Sequence, residues 1–302
     1  MWFKNLCLFR LSEPFTLTAD DLAEKLEALQ FRPCGAHETS SAGWTAPLGK
    51  PGQPLVHATN GYIMLCVKKQ ERVLPPAVVN EMFMEKLAEA EEQQGRKLSK
   101  KERTQLKDEL IFDLLPKAFT FSRKTYAYID PKGGWLVVDA ASANKAEDLL
   151  SLLRKSLGSL PAAPINAVNN PVTIMTQWLV SQQKPDDIVV EDECELRSPG
   201  EDASIIRCKR QDLALPEIQN HLDSGKDVIQ LALSWADRLA FVMDKHFAIK
   251  RLRFLDLVQD QLEDIEIGGE EMRFDVDFSI MSAELGVFLP RLLELFGGET
   301  KK

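Results

Sequence analysis

Asp275 and Asp277 are the two carboxylates whose spacing is most typical of a metal site. On an alternating strand over residues 274–280 they would share one face, where carboxylate oxygens can hold Mg²⁺ for phosphate chemistry. The same pattern also describes the solvated face of an edge strand, and no further carboxylate motif completes a ligand set. The sequence therefore favours a plain strand and keeps a metal-dependent, DNA-processing enzyme as an alternative.

The other residues suited to catalysis or metal binding are scattered. His37, His57, His221 and His246 form no H-x-x-x-H or H-E-x-x-H motif, and His37 and His57 are expected to be solvated in loops. Phosphate-binding glycine loops and the G-x-S-x-G nucleophile motif do not occur in the sequence. We therefore expect a protein that is not an enzyme and that uses no cofactor and no metal.

The cysteines and the hydropathy pattern indicate the cellular compartment in which the protein is expected. Five widely spaced cysteines without a C-x-x-C pair argue against a disulfide framework and favour a reducing environment. No apolar run approaches the roughly 20 residues that a membrane span needs. The first six residues lack the order of a signal peptide. These features predict a cytoplasmic protein.

Basic residues are concentrated although the whole chain is acidic, with a net charge of −9. Residues 96–124 hold nine basic and four acidic side chains, a balance of +5, so the rest of the chain carries −14. The nine are Arg96, Lys97, Lys100, Lys101, Arg103, Lys107, Lys117, Arg123 and Lys124. Such asymmetry is typical of a local surface for an anionic partner.

Four of these cations surround the start of a predicted helix. Ser99 and Glu102 fit the S-x-x-E capping box, which puts Lys100 and Lys101 in the first helical turn. The helix dipole makes cations unfavourable there, but a helix start flanked by cations suits a bound phosphate. The residues leave two interpretations open, a phosphate-binding tip and a basic tip that is merely solvated.

Two more basic groups follow predicted strands in the second half. They are Arg207, Lys209 and Arg210 with the adjacent Gln211, and Lys250, Arg251 and Arg253. Several basic groups on an acidic chain suggest convergence on one surface that follows a phosphate backbone. The sequence has no helix-turn-helix, zinc-finger or RRM signature, so binding should depend weakly on base sequence.

Grouped strands and helices predict an α+β fold with antiparallel sheets, flanking helices and a projecting helical hairpin. The expected helices follow Thr18, form a hairpin over 77–115, span about 143–157, and run from Ser282 to Gly297. The expected strands cover 62–67, 119–129, 135–138 and a meander that begins at 188; residues 33–54 are expected to form a loop. The predicted domains are 1–76 with 117–165, the hairpin arm 77–116, and 166–302.

The sequence resembles the RdgC family of recombination-associated proteins over nearly its whole length. The densest matches lie in the segments 2–6, 33–35, 58–61, 96–98, 106–109, 114–119, 145–148, 153–161, 209–213 and 273–275. The segment that ends Leu153-Arg154-Lys155-Ser156-Leu157-Gly158-Ser159-Leu160-Pro161 is the most specific of them.

The resemblance implies a ring-shaped homodimer that encircles double-stranded DNA, restrains RecA-type recombinase and is nucleoid-associated. It also implies a subunit contact at Phe119 and DNA binding by the basic tip and by the pair Arg210 and Gln211. Together with the charge pattern, the DNA-binding candidates are Arg96, Lys97, Lys100, Lys101, Lys117, Lys209, Arg210 and Gln211. A protein-interaction scaffold with a merely solvated tip is a further alternative.

Overall fold

Twelve strands form a single sheet in the computed structural model, which describes residues 1–50, 52–262 and 268–300. The strands are Leu6–Leu11 (β1), Ser40–Trp44 (β2), Val56–Thr59 (β3), Tyr62–Val73 (β4), Phe119–Asp130 (β5), Trp135–Asp139 (β6), Ala162–Pro164 (β7), Ile188–Arg197 (β8), Ile205–Lys209 (β9), Asp227–Trp235 (β10), Leu239–Asp244 (β11) and Ile249–Phe254 (β12). The α-helices are Ala19–Glu27 (α1), Pro76–Gln94 (α2), Lys100–Leu114 (α3), Ala143–Leu157 (α4), Pro171–Ser181 (α5), Pro216–Asp223 (α6), Asp256–Gln259 (α7) and Glu270–Leu295 (α8).

All pairings between these strands are antiparallel, and their order is β2-β4-β5-β6-β1-β12-β11-β10-β8-β9, with β3 beside β4 and β7 beside β1. The halves of the chain meet where Leu6 of β1 faces Ile249 of β12. The Leu252 amide also donates to the Lys4 carbonyl at 2.8 Å. The predicted α+β class with an antiparallel sheet and flanking helices is confirmed, and one sheet serves both halves.

Two apolar cores lie on opposite faces of the first half of the sheet. One core packs α1 and α4 against β1, β4, β5 and β6, with Leu22, Leu26 and Leu150 fully buried. The other packs α5, α6 and α8 against the opposite face and extends across β8 to β12. As predicted, Thr18 caps α1 in a capping box with Asp21, and α4 covers residues 143–157.

The predicted helical hairpin is present as α2 and α3, which we call the arm. Gly95 ends α2 in the left-handed region at φ 64°, a conformation in which glycine avoids steric strain. Ser99 and Glu102 form the expected capping box at the start of α3. The arm leaves the sheet between β4 and β5, so its base is fixed to two long paired strands.

The predicted strand over 274–280 is wrong, because these residues belong to the long helix α8. The predicted helix start at Ser282 is likewise wrong by 12 residues. The buried residues of α8 recur at steps of three and four and include Phe278, Met281, Leu285, Phe288 and Leu292. This helical spacing, buried against the sheet, outweighs the local alternation of Phe274 to Ile280. None of the helices within the described ranges has the length and apolar character needed to cross a membrane.

The stretch 33–54, predicted to be a loop, contains the edge strand β2. Gly43 permits it: a β-carbon there would lie 2.5 Å from the Phe31 α-carbon, so only glycine allows the two backbones to approach. The adjacent Trp44 is fully buried and donates its indole N–H to the Ser156 hydroxyl at 2.9 Å.

Candidate nucleic-acid interface

The second half of the sheet buries one face and lines clefts with the other. Leu231 of β10 points into the core, while the next residue, Ala232, lines a cleft of about 660 Å³. Because side chains alternate along a strand, one strand supplies both surfaces.

A neighbouring cleft of about 430 Å³ on this face is charged, and we call it the sheet-face cleft. Its lining residues are Glu193, Cys194, Glu195, Arg207, Lys209, Gln230, Val242, Lys250 and Arg251. The register of β8 and β9 places Glu193 opposite Lys209 and Glu195 opposite Arg207. Cations from β9 and β12, some 40 residues apart in the chain, thus line one concave surface. Arg210 and Arg253, which belong to the same two predicted groups, are not among its lining residues.

The cations of the sheet-face cleft are paired with acids. Arg251 Nη2 lies 2.7 Å and Lys209 Nζ 3.6 Å from Glu193 Oε1. Arg207 Nε lies 2.7 Å from Glu195 Oε2, and Lys250 Nζ lies 2.9 Å from Asp244 Oδ2. The hydrogen bond from Arg251 holds the pKa of Glu193 below its ordinary value, although partial burial opposes this. The carboxylate is therefore ionised at neutral pH.

Arg210 and Gln211 follow β9 at the outer edge of the sheet. Arg210 is exposed and adopts a left-handed backbone at φ 55°, which turns the chain away from the strand. Gln211 is half-buried, and its side-chain amide donates to Glu217 Oε2 at 2.7 Å. Arg210 thus presents its charge to solvent, while Gln211 is held beside it by α6.

At the arm tip, residues 96–101, the cations differ in their partners. The Arg96 guanidinium makes two hydrogen bonds to the Glu102 carboxylate, of 2.6 and 3.1 Å. Lys97, Lys100 and Lys101 are exposed and make no ion pair within 4.0 Å with any residue in the described ranges.

Two other members of the basic segment 96–124 help to hold the arm together. Arg103 bridges the hairpin: its side chain donates to the Leu98 carbonyl and to Glu91, each at 3.0 Å. Lys107 Nζ donates to Asn80 Oδ1 at 2.9 Å, which links α3 to α2. The high positive charge of the segment therefore exceeds the charge that the arm offers to a partner.

The base of the arm combines an exposed cation with an exposed apolar surface. Lys117 ends a 3₁₀ turn and is exposed. Phe119 is 87% exposed and faces Val73 across the β4–β5 pair, and Phe121 beside it is 50% exposed. A large aromatic side chain that exposed favours a contact with another protein surface.

The outer parts of β4 and β5 place like charges opposite each other. Lys68 faces Lys124 and Lys69 faces Arg123 in the register of the two strands. Like charges in directly opposed positions destabilise a sheet. Lys69 is relieved by Glu71 at 2.9 Å, whereas Lys124 makes no ion pair with a described residue.

Asp275 and Asp277 do not form the pair that the strand interpretation required. Two residues apart on a helix, they point to different sides. Asp277 pairs with the amino group of Met1, and Asp275 Oδ1 lies 2.9 Å from His57 Nε2. His57, expected in a loop, lies in β3 and has a largely buried side chain. No group of three or more potential metal ligands occurs within residues 1–50, 52–262 and 268–300.

The cysteines show no sign of a reactive centre. Cys7, Cys66, Cys194 and Cys208 are buried, and Cys34 is half-buried. Burial raises the pKa of Cys7 to about 11 and the pKa values of Cys66 and Cys194 to about 12. These thiols are protonated at neutral pH, as expected for structural side chains.

Sequence reasoning missed Glu193 and Glu195, the acids that hold the cleft cations. A signal exists in the alternation Glu191-Asp192-Glu193-Cys194-Glu195 followed by Arg207-Cys208-Lys209. Acids and bases at alternate positions of two hairpin strands face each other only in one register, and that register is given by the structure.

The distance between the two basic regions follows from the sheet. The arm is attached to β5, and β9 lies seven strand positions away at the opposite edge. At about 4.8 Å per strand, β9 lies about 34 Å across the sheet from β5, whereas β12, whose Lys250 and Arg251 line the same cleft, lies about 14 Å from β5. The arm tip and the sheet-face cleft lie on different elements of the chain and form two basic regions.

Comparison with known proteins gives the same family over nearly the whole chain. A family model described as "Putative exonuclease, RdgC" matches residues 1–299. Proteins named "Recombination-associated protein RdgC" are similar: that of Aeromonas hydrophila is 46% identical over 299 residues, covering 99% of each chain. Those of Tolumonas auensis and Pseudomonas aeruginosa are each 48% identical, covering 99% of this chain and 99% and 98% of theirs. This chain therefore belongs to the RdgC family of recombination-associated proteins.

Proposed function

We propose that this protein binds double-stranded DNA through its phosphate backbone, with little dependence on base sequence. The observation that carries the proposal is the sheet-face cleft, where Arg207, Lys209, Lys250 and Arg251 from two distant strands line one concave surface. Gln230 adds an amide donor to the same lining. Such contacts neutralise phosphates without reading bases.

The second basic region extends this surface through assembly. Duplex DNA needs cations on more than one side to be enclosed, and the arm is attached to β5, about 34 Å across the sheet from β9. We propose that two copies form a ring, with Phe119 at a subunit contact and with both basic regions facing the enclosed DNA. Lys117 and Arg210, both exposed, would contribute charge at the arm base and at the sheet edge.

A ring of this kind suggests a role in recombination. By occupying duplex DNA, it would restrain a RecA-type recombinase in homologous recombination and replication. The names of the similar proteins, which refer to recombination, support this assignment.

A salt series tests DNA binding directly. Gel shifts of a random-sequence duplex should weaken with a log–log slope of about −0.9 per phosphate neutralised. The double variant Lys117→Gln, Arg210→Gln removes two exposed cations that make no ion pair with a described residue. It should make the slope shallower by about 2 units and should weaken binding to every sequence alike. Binding that is independent of salt, or a variant with unchanged slope, would contradict the proposal.

Sedimentation tests the dimer. The wild type should sediment as a dimer, and Phe119→Ala should dissociate at lower concentration. Ala substitution at Phe112, which is 54% exposed on the arm and stacks on His37 at 3.8 Å, provides a matched loss of an exposed aromatic. If both substitutions weaken the dimer equally, Phe119 has no specific role in the subunit contact.

The word exonuclease in the family description gives the second candidate, a nuclease. Its carboxylates would have to come from outside the pair Asp275 and Asp277, since these contact His57 and Met1. Incubation of linear and circular duplexes with Mg²⁺ separates the two functions. A nuclease activity that shortens or nicks these duplexes, and that stays with the protein throughout purification, would establish the enzyme.

A further inference from the structure

We infer that Glu193 and Glu195 occupy the places of DNA phosphates in the sheet-face cleft and so set how strongly the cleft binds DNA. The inference rests on the proposed DNA binding and adds to it two acidic residues that oppose binding. Each carboxylate holds cations in position while DNA is absent and must be replaced by phosphate when DNA enters.

Glu193 is the centre of the arrangement. Its carboxylate contacts Arg251 of β12 at 2.7 Å and Lys209 of β9 at 3.6 Å, so one acid joins the two basic groups. The Glu193 side chain is 22% exposed, whereas Lys209 and Arg251 are 62% and 55% exposed. The acid therefore lies at the floor of the cleft, and the cations above it remain accessible to a phosphate from solvent.

Glu195 repeats the arrangement two residues along the same strand. Its carboxylate is 14% exposed and holds Arg207, itself 67% exposed, at 2.7 Å. Two residues of an extended strand span about 6.8 Å. The two carboxylates thus form a short row of negative charge along β8, with the cations of β9 and β12 beside it.

The arrangement predicts a particular effect on ion release. A cation that is free in the unbound protein releases one counterion from DNA for each phosphate it neutralises. A cation that exchanges a carboxylate for a phosphate leaves that carboxylate unneutralised beside the DNA, so the cleft brings less net positive charge to the phosphates and fewer counterions are released. The paired cleft therefore binds more weakly and with a shallower salt dependence than the same cations would without their acids.

The test compares wild type with Glu193→Gln and Glu195→Gln in a salt series on a short random-sequence duplex. Each variant should bind about fivefold more tightly at fixed salt, and its log–log slope should be steeper by about 1 unit. Glu24→Gln is the matched control, because Glu24 is exposed on α1 and removes the same charge away from the cleft. It should change the affinity by less than about twofold.

A double-mutant cycle locates the effect. In a Lys209→Gln, Arg251→Gln background, Glu193→Gln should no longer tighten binding, because the cations that it held are gone. Thermal melting of each variant confirms folding, and the two glutamates provide independent substitutions should one of them misfold.

The outcomes are distinguishable. If wild type shifts DNA but the glutamine variants bind equally or more weakly, the carboxylates only position the cations and the inference is overturned. A gain that persists in the Lys209, Arg251 background also overturns it, since the gain would then be a general effect of net charge. If neither wild type nor any variant shifts DNA, the proposed function fails and the inference falls with it.

Discussion

The arm tip and the sheet-face cleft are both basic, but they hold their cations differently. At the tip, Lys97, Lys100 and Lys101 make no ion pair with a described residue, and only Arg96 is neutralised, by Glu102. In the cleft each of the four basic side chains has an acidic partner within 4.0 Å. Counting basic residues would treat the regions as equivalent. Their partners indicate that the lysines of the tip can pair with phosphates directly, whereas the cations of the cleft must first give up a carboxylate partner.

The largest expected effect contrasts the two regions directly. Neutralising the tip with Lys97→Gln, Lys100→Gln and Lys101→Gln should weaken duplex binding about 100-fold near physiological salt, because three unpaired charges are lost. The matched cleft variant, Arg207→Gln, Lys209→Gln and Arg251→Gln, should weaken it only about tenfold. Fluorescence anisotropy with a labelled duplex measures both.

Two results would break this comparison. Equal losses would mean that the ion pairs in the cleft have no influence on DNA binding. An unchanged affinity of the tip variant would favour the scaffold alternative, in which the arm grips a protein and its lysines are only solvated.

A smaller effect is expected at Lys68 and Lys124, which face each other across β4 and β5 and make no ion pair with a described residue. Lys124→Thr removes the repulsion from Lys68 and introduces a residue that favours strands, so unfolding should require about 0.5 kcal/mol more. DNA affinity should fall about threefold if this charge faces DNA. Urea unfolding and anisotropy measure the two quantities.

The control for this substitution is Lys132→Thr, which removes the same charge from an exposed turn between β5 and β6. It should leave both quantities nearly unchanged. A stability gain of the same size in the control would show that repulsion between Lys68 and Lys124 is not its cause.

The smallest effect concerns the pH dependence of the cleft ion pairs. Because the pKa of Glu193 is lower in the folded protein, its pairs stabilise the fold above the ordinary value of 4.5 and lose this contribution as pH falls through the lowered pKa. Wild type should thus be more stable than Glu193→Gln by about 0.5 kcal/mol at neutral pH. Urea unfolding should show the difference vanishing in acid. A difference that is constant with pH would implicate packing instead of charge.

The success of sequence reasoning depended on how local the signals were. The capping boxes at Thr18 and Ser99 and the helix α4 are specified by neighbouring residues, and all three are confirmed. The strand prediction for residues 274–280 was wrong because apolar and polar residues alternate over this short stretch. The burial of these residues instead follows a helical spacing that extends to Leu292. Short patterns are ambiguous between the two periods, and only tertiary packing decides.

The candidate site was predictable in kind but not in electrostatics. Clusters such as Lys209 and Arg210 are visible in the chain, and the structure places Arg207 and Lys209 on one surface with Lys250 and Arg251. Their neutralisation by Glu193 and Glu195 depends on strand register and on a contact between β8 and β12. The use of Arg103 within the arm depends in the same way on the fold of the hairpin.

The position of β1 in the sheet has a consequence for how the chain folds. Strand β1 lies in the middle of the sheet, and Asn5, just before it, contacts Arg251, 246 positions later. One edge of β1 can pair with β6 early, and β7 can pair with residues 9–11 of the other edge. The start of that second edge, at Leu6, has no partner until β12 has been made. An unsatisfied strand edge is prone to aggregate, and pairing between distant segments is slow. The second half of the chain must therefore fold before the sheet of the first half is complete. Truncation after β7 would leave part of the β1 edge exposed and prone to aggregation.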